Sequence, residues 1–204
     1  MELFNTQMLN NILPSDGEVS YYGKVLEEKQ AQDYLNKLLN NIEWKNDEAI
    51  IFGRHIITMR KVAWYGDDNF PYTYSKMTRY ALPWTHELIA LKKIAELICE
   101  TKFNSCLLNL YHNGHEGMAW HSDDEKALEK NSPIASFSFG AARKFSLRHK
   151  RTKENISILL ESGSLLLMKD VTQKHWLHCL PKSKKVTQPR VNLTFRVMVK
   201  PHGN

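Results

Sequence analysis

The sequence has few cysteines, no long apolar run and no basic leader, and each absence excludes a class of protein. The three cysteines form an odd set without the paired spacing of a zinc finger, so no disulfide framework or finger is predicted. No apolar run approaches the ~18 residues that cross a bilayer, and the first residues lack a basic segment followed by an apolar one. We therefore expect reduced core thiols in an intracellular protein that does not bind a membrane.

Internal repeats, low-complexity stretches and linkers are also lacking, so the 204 residues predict a single domain over 1–204. No surface pattern indicates a subunit interface, and a monomer is expected. The net charge of +6 favours an anionic partner such as nucleic acid, although a basic surface without a ligand explains the charge equally well.

The periodicity predicts two helices followed by many short strands. Apolar residues at helical spacing predict helices over 27–42 and 84–100. Short strands after two helices are typical of an α+β, mainly β domain with a jelly-roll (double-stranded β-helix) core and its helices packed outside. Strands are predicted over 107–111, 134–139, 144–148, 156–160, 165–168, 175–180 and 191–199.

The first 80 residues contain less regular segments. Residues 1–20 show no sustained period and predict a loosely packed arm. A strand pair is predicted over 49–52 and 55–63, with Gly53 in its turn. The segment 64–80 is aromatic and rich in turn residues, which predicts a wall for a flat ligand rather than a core element.

The stretch Trp-His-Ser-Asp-Asp-Glu at 120–125 holds His121 and Asp123 two positions apart. Residues two apart on an extended segment share a face, so the imidazole and the carboxylate can aim at one point. Together they make two thirds of the facial metal site of non-haem iron oxygenases, although a lone His-x-Asp is common by chance. His175 and His178 both offer a third ligand. They lie three positions apart and face opposite ways on a strand, and spacing alone does not choose between them.

The last predicted strand has one apolar face and one polar face. The polar face carries two arginines and no acid, which differs from the mixed signs of an ordinary surface, although a solvated edge strand has a similar pattern. If this face lines a barrel mouth, the arginines need an anion, and a dicarboxylate can engage both guanidinium groups. Asn109 and Tyr111 share parity on another strand and can add neutral hydrogen bonds. The polar face comprises Arg190, Asn192, Thr194 and Arg196, opposite Val191, Leu193, Phe195, Val197 and Val199.

A series of short motifs runs along the second half of the chain. They are Asn-Leu-Tyr at 109–111, His-Ser-Asp-Asp-Glu at 121–125, Ser-Pro-Ile-Ala-Ser at 132–136, Phe-Gly at 139–140, Arg-His-Lys at 148–150, Gly-Ser-Leu-Leu at 163–166, His-Trp-Leu-His-Cys-Leu-Pro at 175–181 and Pro-Arg-Val-Asn-Leu-Thr-Phe-Arg at 189–196. In this order they resemble the AlkB family of iron and 2-oxoglutarate dioxygenases, which repair alkylated nucleic-acid bases. The resemblance extends from about residue 52 to 199 and is strongest to the branch that acts on duplex DNA.

The resemblance implies a double-stranded β-helix core over 103–200 with a nucleotide-recognition lid over 48–82. It implies that His121, Asp123 and His178 bind the catalytic Fe(II). Among the two candidate histidines, His178 matches because it stands just before the Cys-Leu-Pro segment, and the role of His175 stays open.

The same resemblance assigns the binding of 2-oxoglutarate. Arg190 is expected to clamp the distal carboxylate of the cosubstrate, and Arg196 the end beside the iron. Asn109, Tyr111 and Asn192 match positions that form hydrogen bonds to it. This agrees with the anion that the polar face of the last strand requires.

Five residues are expected on the substrate side. Phe52 matches the hairpin tip that fills the gap left by an extruded base, although a core contact explains it as well. Tyr72 and Tyr74 lie in a segment that resembles the one whose ring stacks on the flipped base. Asp124 and Glu125 match acids near the exocyclic nitrogen of the base, and a solvated acidic turn is the alternative.

The implied function is direct-reversal DNA repair by oxidative demethylation of N-alkylated bases such as 1-methyladenine and 3-methylcytosine. The reaction uses Fe(II), 2-oxoglutarate and O2 and releases formaldehyde, succinate and CO2. Access to DNA implies a bacterial cytoplasm or a eukaryotic nucleus. Basic residues that can track phosphates are Lys144, Arg148, Lys150, Arg151, Lys153, Lys182, Lys184 and Lys185.

Other functions stay open. The connection after residues 148–150 is several residues shorter than in the duplex-acting branch, so single-stranded DNA and RNA remain candidate substrates. An oxygenase acting on protein or a small molecule, and a binding module for damaged bases without turnover, are the remaining alternatives. The aromatic and basic segments argue against the first, and the complete set of metal and cosubstrate residues argues against the second.

Overall fold

The computed structural model describes residues 10–51, 54–74 and 77–199, with the backbone alone described for 49–51, 54–55, 72–74 and 77. Strands and helices are numbered in chain order. The strands are β1 Glu18–Lys24, β2 Lys45–Ile51, β3 Arg54–Gly66, β4 Pro71–Tyr74, β5 Met77–Tyr80, β6 Ser105–Tyr111, β7 Met118–His121, β8 Ile134–Gly140, β9 Arg143–His149, β10 Asn155–Leu160, β11 Ser164–Lys169, β12 Trp176–Leu180 and β13 Arg190–Arg196. The helices are α1 Glu28–Asn41, α2 His86–Cys99 and α3 Thr172–His175. Within these ranges, no helix is long and apolar enough to span a bilayer.

Two antiparallel sheets pack face to face. The larger sheet has the strand order β1-β11-β8-β13-β6-β3-β2, and the smaller has the order β10-β9-β12-β7. Strands far apart in the chain are neighbours, as where β13 pairs with both β8 and β6. This crossing connectivity is that of a jelly roll, and the predicted mainly β fold is confirmed.

The two long helices cover the outer face of the larger sheet. α1 begins where the Glu27 backbone N–H donates to Gln30 Oε1 at 3.2 Å, and α2 begins where Thr85 Oγ1 accepts the Leu88 N–H at 3.3 Å. Their buried residues pack against alternate residues of the central strands. The contacting core includes Ala31, Leu35, Leu38, Leu88, Leu91 and Ala95 from the helices and Phe137, Leu165, Leu193 and Phe195 from the strands.

Strand alternation decides what enters the space between the sheets. Odd-numbered residues of β8 and β13 face the helices, so the even-numbered residues face the smaller sheet. At one end this space is apolar, where Ile134 and Leu166 pack against Phe145 and Leu147 of β9. The polar residues of β13 project into the same space, and this places the candidate site between the sheets.

Residues 10–20 correct the prediction of a loose arm over 1–20. Leu13 and Val19 are buried, and β1 pairs with β11 at the edge of the larger sheet. Asn11 Oδ1 accepts the backbone N–H groups of Leu13 and Val19, at 3.1 and 2.8 Å. The indole N–H of Trp176 donates to the Ser15 carbonyl at 3.0 Å. Two buried apolar residues, strand pairing and several polar contacts hold this segment without a long apolar pattern, which is why its composition suggested a loose arm.

The aromatic segment 64–80 also differs from its prediction. Trp64, Tyr65 and Phe70 are buried core residues, and the Trp64 indole N–H donates to the Phe70 carbonyl at 3.1 Å. The later part of the segment forms the hairpin β4–β5, which periodicity does not predict. Strand β7 is likewise not predicted, and His175 closes α3 rather than opening a strand.

Candidate active site

A cavity of about 260 Å³ lies between the two sheets. Strands β6 and β13 of the larger sheet line one side, and β7 and β12 of the smaller sheet line the other. Residues of the β2–β3 pair, including Asp47 and Arg60, contribute a third wall. Here the apolar packing between the sheets gives way to charged side chains.

His121, Asp123 and His178 converge on one point of this cavity. The antiparallel register of β7 and β12 sets His121 opposite His178, and Asp123 follows two residues after His121. Asp123 Oδ1 lies 3.7 Å from His121 Nε2 and 4.0 Å from His178 Nε2. Donor atoms at this spacing can share one ion at bond lengths of about 2 Å.

The protonation states suit a metal. His121 Nδ1 lies 2.8 Å from the Ala119 carbonyl, which can only accept, so Nδ1 carries the proton and Nε2 presents a lone pair. Burial lowers the pKa of His178 to about 3, against the attraction of Asp123, and keeps this imidazole neutral. Burial alone would raise the pKa of Asp123, but Arg196 and the two histidines outweigh it and lower that pKa. Two imidazole nitrogens and a carboxylate fit the facial site of non-haem iron enzymes.

His175 lies outside this cluster. It closes α3, and its ring stacks parallel to that of His149 at 6.3 Å. The structure therefore brings together the three residues that the family resemblance selects and separates the fourth candidate from them.

Arg190 provides the strongest sign of an anion site. It is 2% exposed, and its guanidinium donates to Ser138 Oγ at 2.9 Å. Among the described residues, no carboxylate lies within ion-pair distance of Arg190. Burial accordingly lowers the pKa of Arg190 to about 10. A buried cation of this kind is stabilised by a bound carboxylate, which fits the predicted contact with 2-oxoglutarate.

Arg196 occupies the other end of the same face. Its Nη2 lies 3.0 Å from Asp123 Oδ2, and its Nη1 lies 3.5 Å from Glu125 Oε1. Arg196 therefore neutralises and orients the metal-side carboxylate. This places Arg196 beside the metal cluster and Arg190 away from it.

The two asparagines expected to bind 2-oxoglutarate differ. Asn109 has amide N–H groups available to donate, whereas Asn192 forms part of the cavity wall. Asn109 Oδ1 accepts from Arg60 Nη1 at 2.7 Å, which turns the Asn109 amide N–H groups away from Arg60. Asn192 Nδ2 instead donates to Ser136 Oγ and to the Phe137 carbonyl, both at 2.8 Å. Asn192 lines the cavity, yet both its amide N–H groups are bonded to β8, so in this arrangement it cannot donate to a cosubstrate carboxylate. Tyr111 lines the cavity with its ring 5.6 Å from the Arg190 guanidinium.

Asp47 and Arg60 are site residues that the sequence did not suggest. Arg60 Nη2 lies 2.6 Å from Asp47 Oδ2, and both side chains are buried. Burial alone would lower the pKa of Arg60, but Tyr111 and Asp47 outweigh it and raise that pKa. One signal was available: Arg60 shares the parity of Val62 and Trp64, so a cation lies on the same face of β3 as two apolar residues.

The structure describes the side chains of two of the five predicted substrate-side residues. Asp124 is exposed and Glu125 is half-buried, and both line the cavity beside the metal cluster. Tyr72 and Tyr74 lie on β4, and their side chains are outside the described part. Phe52 falls outside the described residues.

Comparison with known proteins agrees with this site. The family model of the 2OG-Fe(II) oxygenase superfamily matches residues 18–196. The chain belongs to this superfamily. Within it, the chain is 43% identical over 198 residues to the DNA oxidative demethylase ALKBH2 of Mus musculus, covering 90% of this chain and 82% of that one. The chain is therefore an AlkB-family dioxygenase, and the predicted use of Fe(II), 2-oxoglutarate and O2 is confirmed.

Relatives under two names match to a similar degree. ALKBH2 of Bos taurus is 43% identical, and the match covers 72% of this chain and 55% of that protein's length. The alpha-ketoglutarate-dependent dioxygenase alkB homolog 3 of Homo sapiens is 39% identical, with 88% of this chain and 66% of that protein covered. The solved structure titled "The structure of OsALKBH1" has a TM-score of 0.62 at 16% identity, covering 87% of this chain and 97% of that one. This last similarity concerns the fold alone.

Proposed function

We propose that this AlkB-family dioxygenase demethylates N-alkylated bases of DNA, such as 1-methyladenine and 3-methylcytosine, and so repairs them by direct reversal. The observation that carries the proposal is the cavity itself, which joins a His-Asp-His cluster to a buried arginine that has no acid partner among the described residues. DNA as the substrate is supported by the name of the mouse and bovine relatives, DNA oxidative demethylase.

In this proposal, His121, Asp123 and His178 hold the iron, and Arg190 binds the distal carboxylate of 2-oxoglutarate. Asn109 supplies N–H donors to the cosubstrate, and Asn192 supports the wall behind it. Bound iron with 2-oxoglutarate and O2 supplies the oxidation, in which one oxygen atom enters the methyl C–H bond and the other enters succinate as CO2 leaves. The hydroxymethyl group then loses its hydroxyl proton to solvent and leaves as formaldehyde, and the ring nitrogen keeps the electron pair of the broken C–N bond.

Recognition of the base is proposed to depend on charge. Adenine or cytosine methylated on its Watson-Crick edge is a cation, so Asp124 and Glu125 at the cavity rim attract it more than they attract a neutral base. The base must first leave the helical stack, which costs a few kcal/mol and least where the lesion already weakens pairing.

We further propose that segment 48–82 is a lid over this rim. Phe52 fills the gap in the duplex, and Tyr72 and Tyr74 contribute a ring that stacks on the flipped base. Exposed basic residues such as Lys144 and Arg151 contact phosphates and make binding dependent on salt.

The direct test is turnover on defined oligonucleotides. The chain is loaded with Fe(II) and 2-oxoglutarate without oxygen, and O2 is then added with methylated single-stranded DNA, duplex DNA or RNA. We expect formaldehyde and a restored base on DNA. Release of formaldehyde from RNA alone would move the substrate class to RNA, and no product on any oligonucleotide would refute nucleic-acid repair.

The lid is tested with Phe52→Ala. We expect kcat/KM on duplex DNA to fall about tenfold more than on single strands, because a wedge worth ~1.4 kcal/mol acts only where a partner strand must be held open. Leu97→Ala is the matched control, since Leu97 is a 73% exposed apolar residue on α2, outside the segment 48–82. Equal losses on both substrates would remove the wedge role.

A further inference from the structure

Asp123 lies where the sheet no longer holds the chain. β7 ends at His121, and Ser122 and Asp123 belong to no strand. The backbone N–H of Asp123 instead donates to Gln173 Oε1 at 2.9 Å, across 50 residues of sequence. The position of the carboxylate between the two histidines therefore depends on a side chain outside the strand ladder.

Gln173 is itself oriented by its surroundings. It lies on the short helix α3, directly before the strand that carries His178. Its Nε2 donates to Met168 Sδ at 3.4 Å, so Oε1 is the end of the amide that faces Asp123. The side-chain amide of Gln173 thus links the loop that carries Asp123 to the strand that carries His178.

Lys150 forms a second link between the loop that carries Asp123 and the helix α3. Its Nζ donates to Ser122 Oγ at 3.1 Å and to the Gln173 carbonyl at 2.9 Å. Its backbone N–H donates to the His175 carbonyl at 2.8 Å, which fixes the turn after β9 against α3. Ser122 and Asp123 are therefore held from both sides by one hydrogen-bonded circuit that contains no metal-binding atom.

We propose that Gln173 and Lys150 are positioning residues for Asp123 and that they set the affinity of the site for its metal. This inference rests on the proposed metal site. Groups that orient a metal ligand without touching the ion typically contribute ~10- to 100-fold in metal affinity. Gln173 and Lys150 act by keeping Asp123 Oδ1 at the spacing from both imidazoles that one ion can bridge.

The test is the affinity of the full chain for Mn(II), followed through the magnetic resonance signal of free Mn(II). Gln173→Leu removes the acceptor, and we expect the Kd to rise ~10- to 100-fold while one ion per chain still binds. Gln173→Glu keeps an oxygen acceptor and should recover most of the affinity. Gln32→Leu is the matched control, because Gln32 is an exposed glutamine on α1 whose amide donates to Asn36 Oδ1.

Lys150→Met provides a second variant on a turn, in case Gln173→Leu unfolds the metal-free chain. We expect its Kd to rise in the same range, and the double variant to lose less than the product of the two single losses because both act on one circuit. A Kd within twofold of the parent in Lys150→Met and in folded Gln173→Leu would overturn the positioning role. A parent chain that binds no Mn(II) would instead refute the metal site on which the inference rests.

Discussion

Within the described residues, two clusters each contain two histidines and one aspartate, and they differ in what they can bind. In each cluster the nearest donor atoms lie within 4.8 Å of one another. One consists of His121, Asp123 and His178, and the other of Asp16, His149 and His175. Composition is therefore the same and both sets meet the same distance limit, but they differ in burial and in the surrounding hydrogen bonds.

The backbone group beside one ring nitrogen makes the difference. His121 Nδ1 faces a carbonyl, which leaves Nε2 as a lone pair. His149 Nδ1 faces the Thr152 N–H at 3.0 Å, which can only donate, so His149 carries its proton on Nε2. That proton points at Asp16 Oδ2, 3.1 Å away, where a metal would have to sit. The second cluster is consequently a hydrogen-bonded contact rather than a metal site.

Asp16 and His149 have a structural task instead. His149 is 2% exposed and lies edge-on to Trp176, with ring centroids 5.0 Å apart. The bond to Asp16 fastens residues 10–20 to the end of β9. The two clusters show that a metal site needs side-chain atoms with free lone pairs. The backbone group beside a histidine ring determines which ring nitrogen carries the proton and which keeps its lone pair.

Removing the aspartate from each cluster should give the largest contrast. Asp123→Ala is expected to weaken metal binding by more than the ~10- to 100-fold cost of losing an outer partner, and to abolish formaldehyde release. Asp16→Ala should leave both within about twofold and cost ~0–1 kcal/mol of unfolding free energy, because Asp16 is exposed. Formaldehyde release by the Asp123→Ala variant would contradict the assignment of the metal to the first cluster rather than the second.

Removing the buried charge at the far end of the cavity that holds the first cluster should give the next largest effect. The second cluster has no counterpart to Arg190, a buried guanidinium without a carboxylate partner among the described residues. Arg190→Met is expected to weaken 2-oxoglutarate binding by ~30-fold or more, the cost of ~2 kcal/mol or above for truncating one partner of a buried charge pair. Arg190→Lys should recover part of this, because it keeps the charge and loses the planar fork.

Arg190→Met has a second consequence of opposite sign. Replacing a buried unpaired charge by an apolar side chain should raise the Tm of the cosubstrate-free chain. Calorimetry and binding measurements on the same variant check both effects. Unchanged affinity together with a lower Tm would mean that Arg190 is a structural residue.

The smallest expected effect concerns the second cluster. His149→Leu should lower the free energy of unfolding by ~1–3 kcal/mol, because it leaves the Thr152 N–H without its acceptor and frees the Asp16 contact. Denaturant unfolding measures this loss. The Kd for Mn(II) should stay within twofold, and weaker metal binding would show that His149 supports the first cluster after all.

The sequence predicts which residues of β13 share its polar face, because the alternation of side chains along a strand is a local property. Arg190, Asn192, Thr194 and Arg196 all line the cavity, as their spacing predicts. The two long helices were predictable within two residues for the same reason. The choice between His175 and His178 was not, because their spacing of three separates their faces without saying which face meets the cavity.

Other features depend on contacts between distant segments. The Asp47–Arg60 pair requires the irregular register of β2 and β3 between Asn46 and Glu48, which no pattern reports. The bond from Asp123 to Gln173 spans 50 residues and follows only from the packing of α3. The attachment of residues 10–20 combines the buried side chains of Leu13 and Val19 with single polar contacts such as those of Asn11, and neither leaves a periodic signal.

The most direct measurement is an anaerobic titration of Fe(II) in the presence of 2-oxoglutarate, followed by the visible charge-transfer absorption of the complex. The parent chain and Asp16→Ala should each bind one equivalent and develop this absorption, and Asp123→Ala should develop none. A parent chain without the absorption, or an Asp16→Ala variant that loses it while Asp123→Ala retains it, would contradict the assignment of the metal to His121, Asp123 and His178.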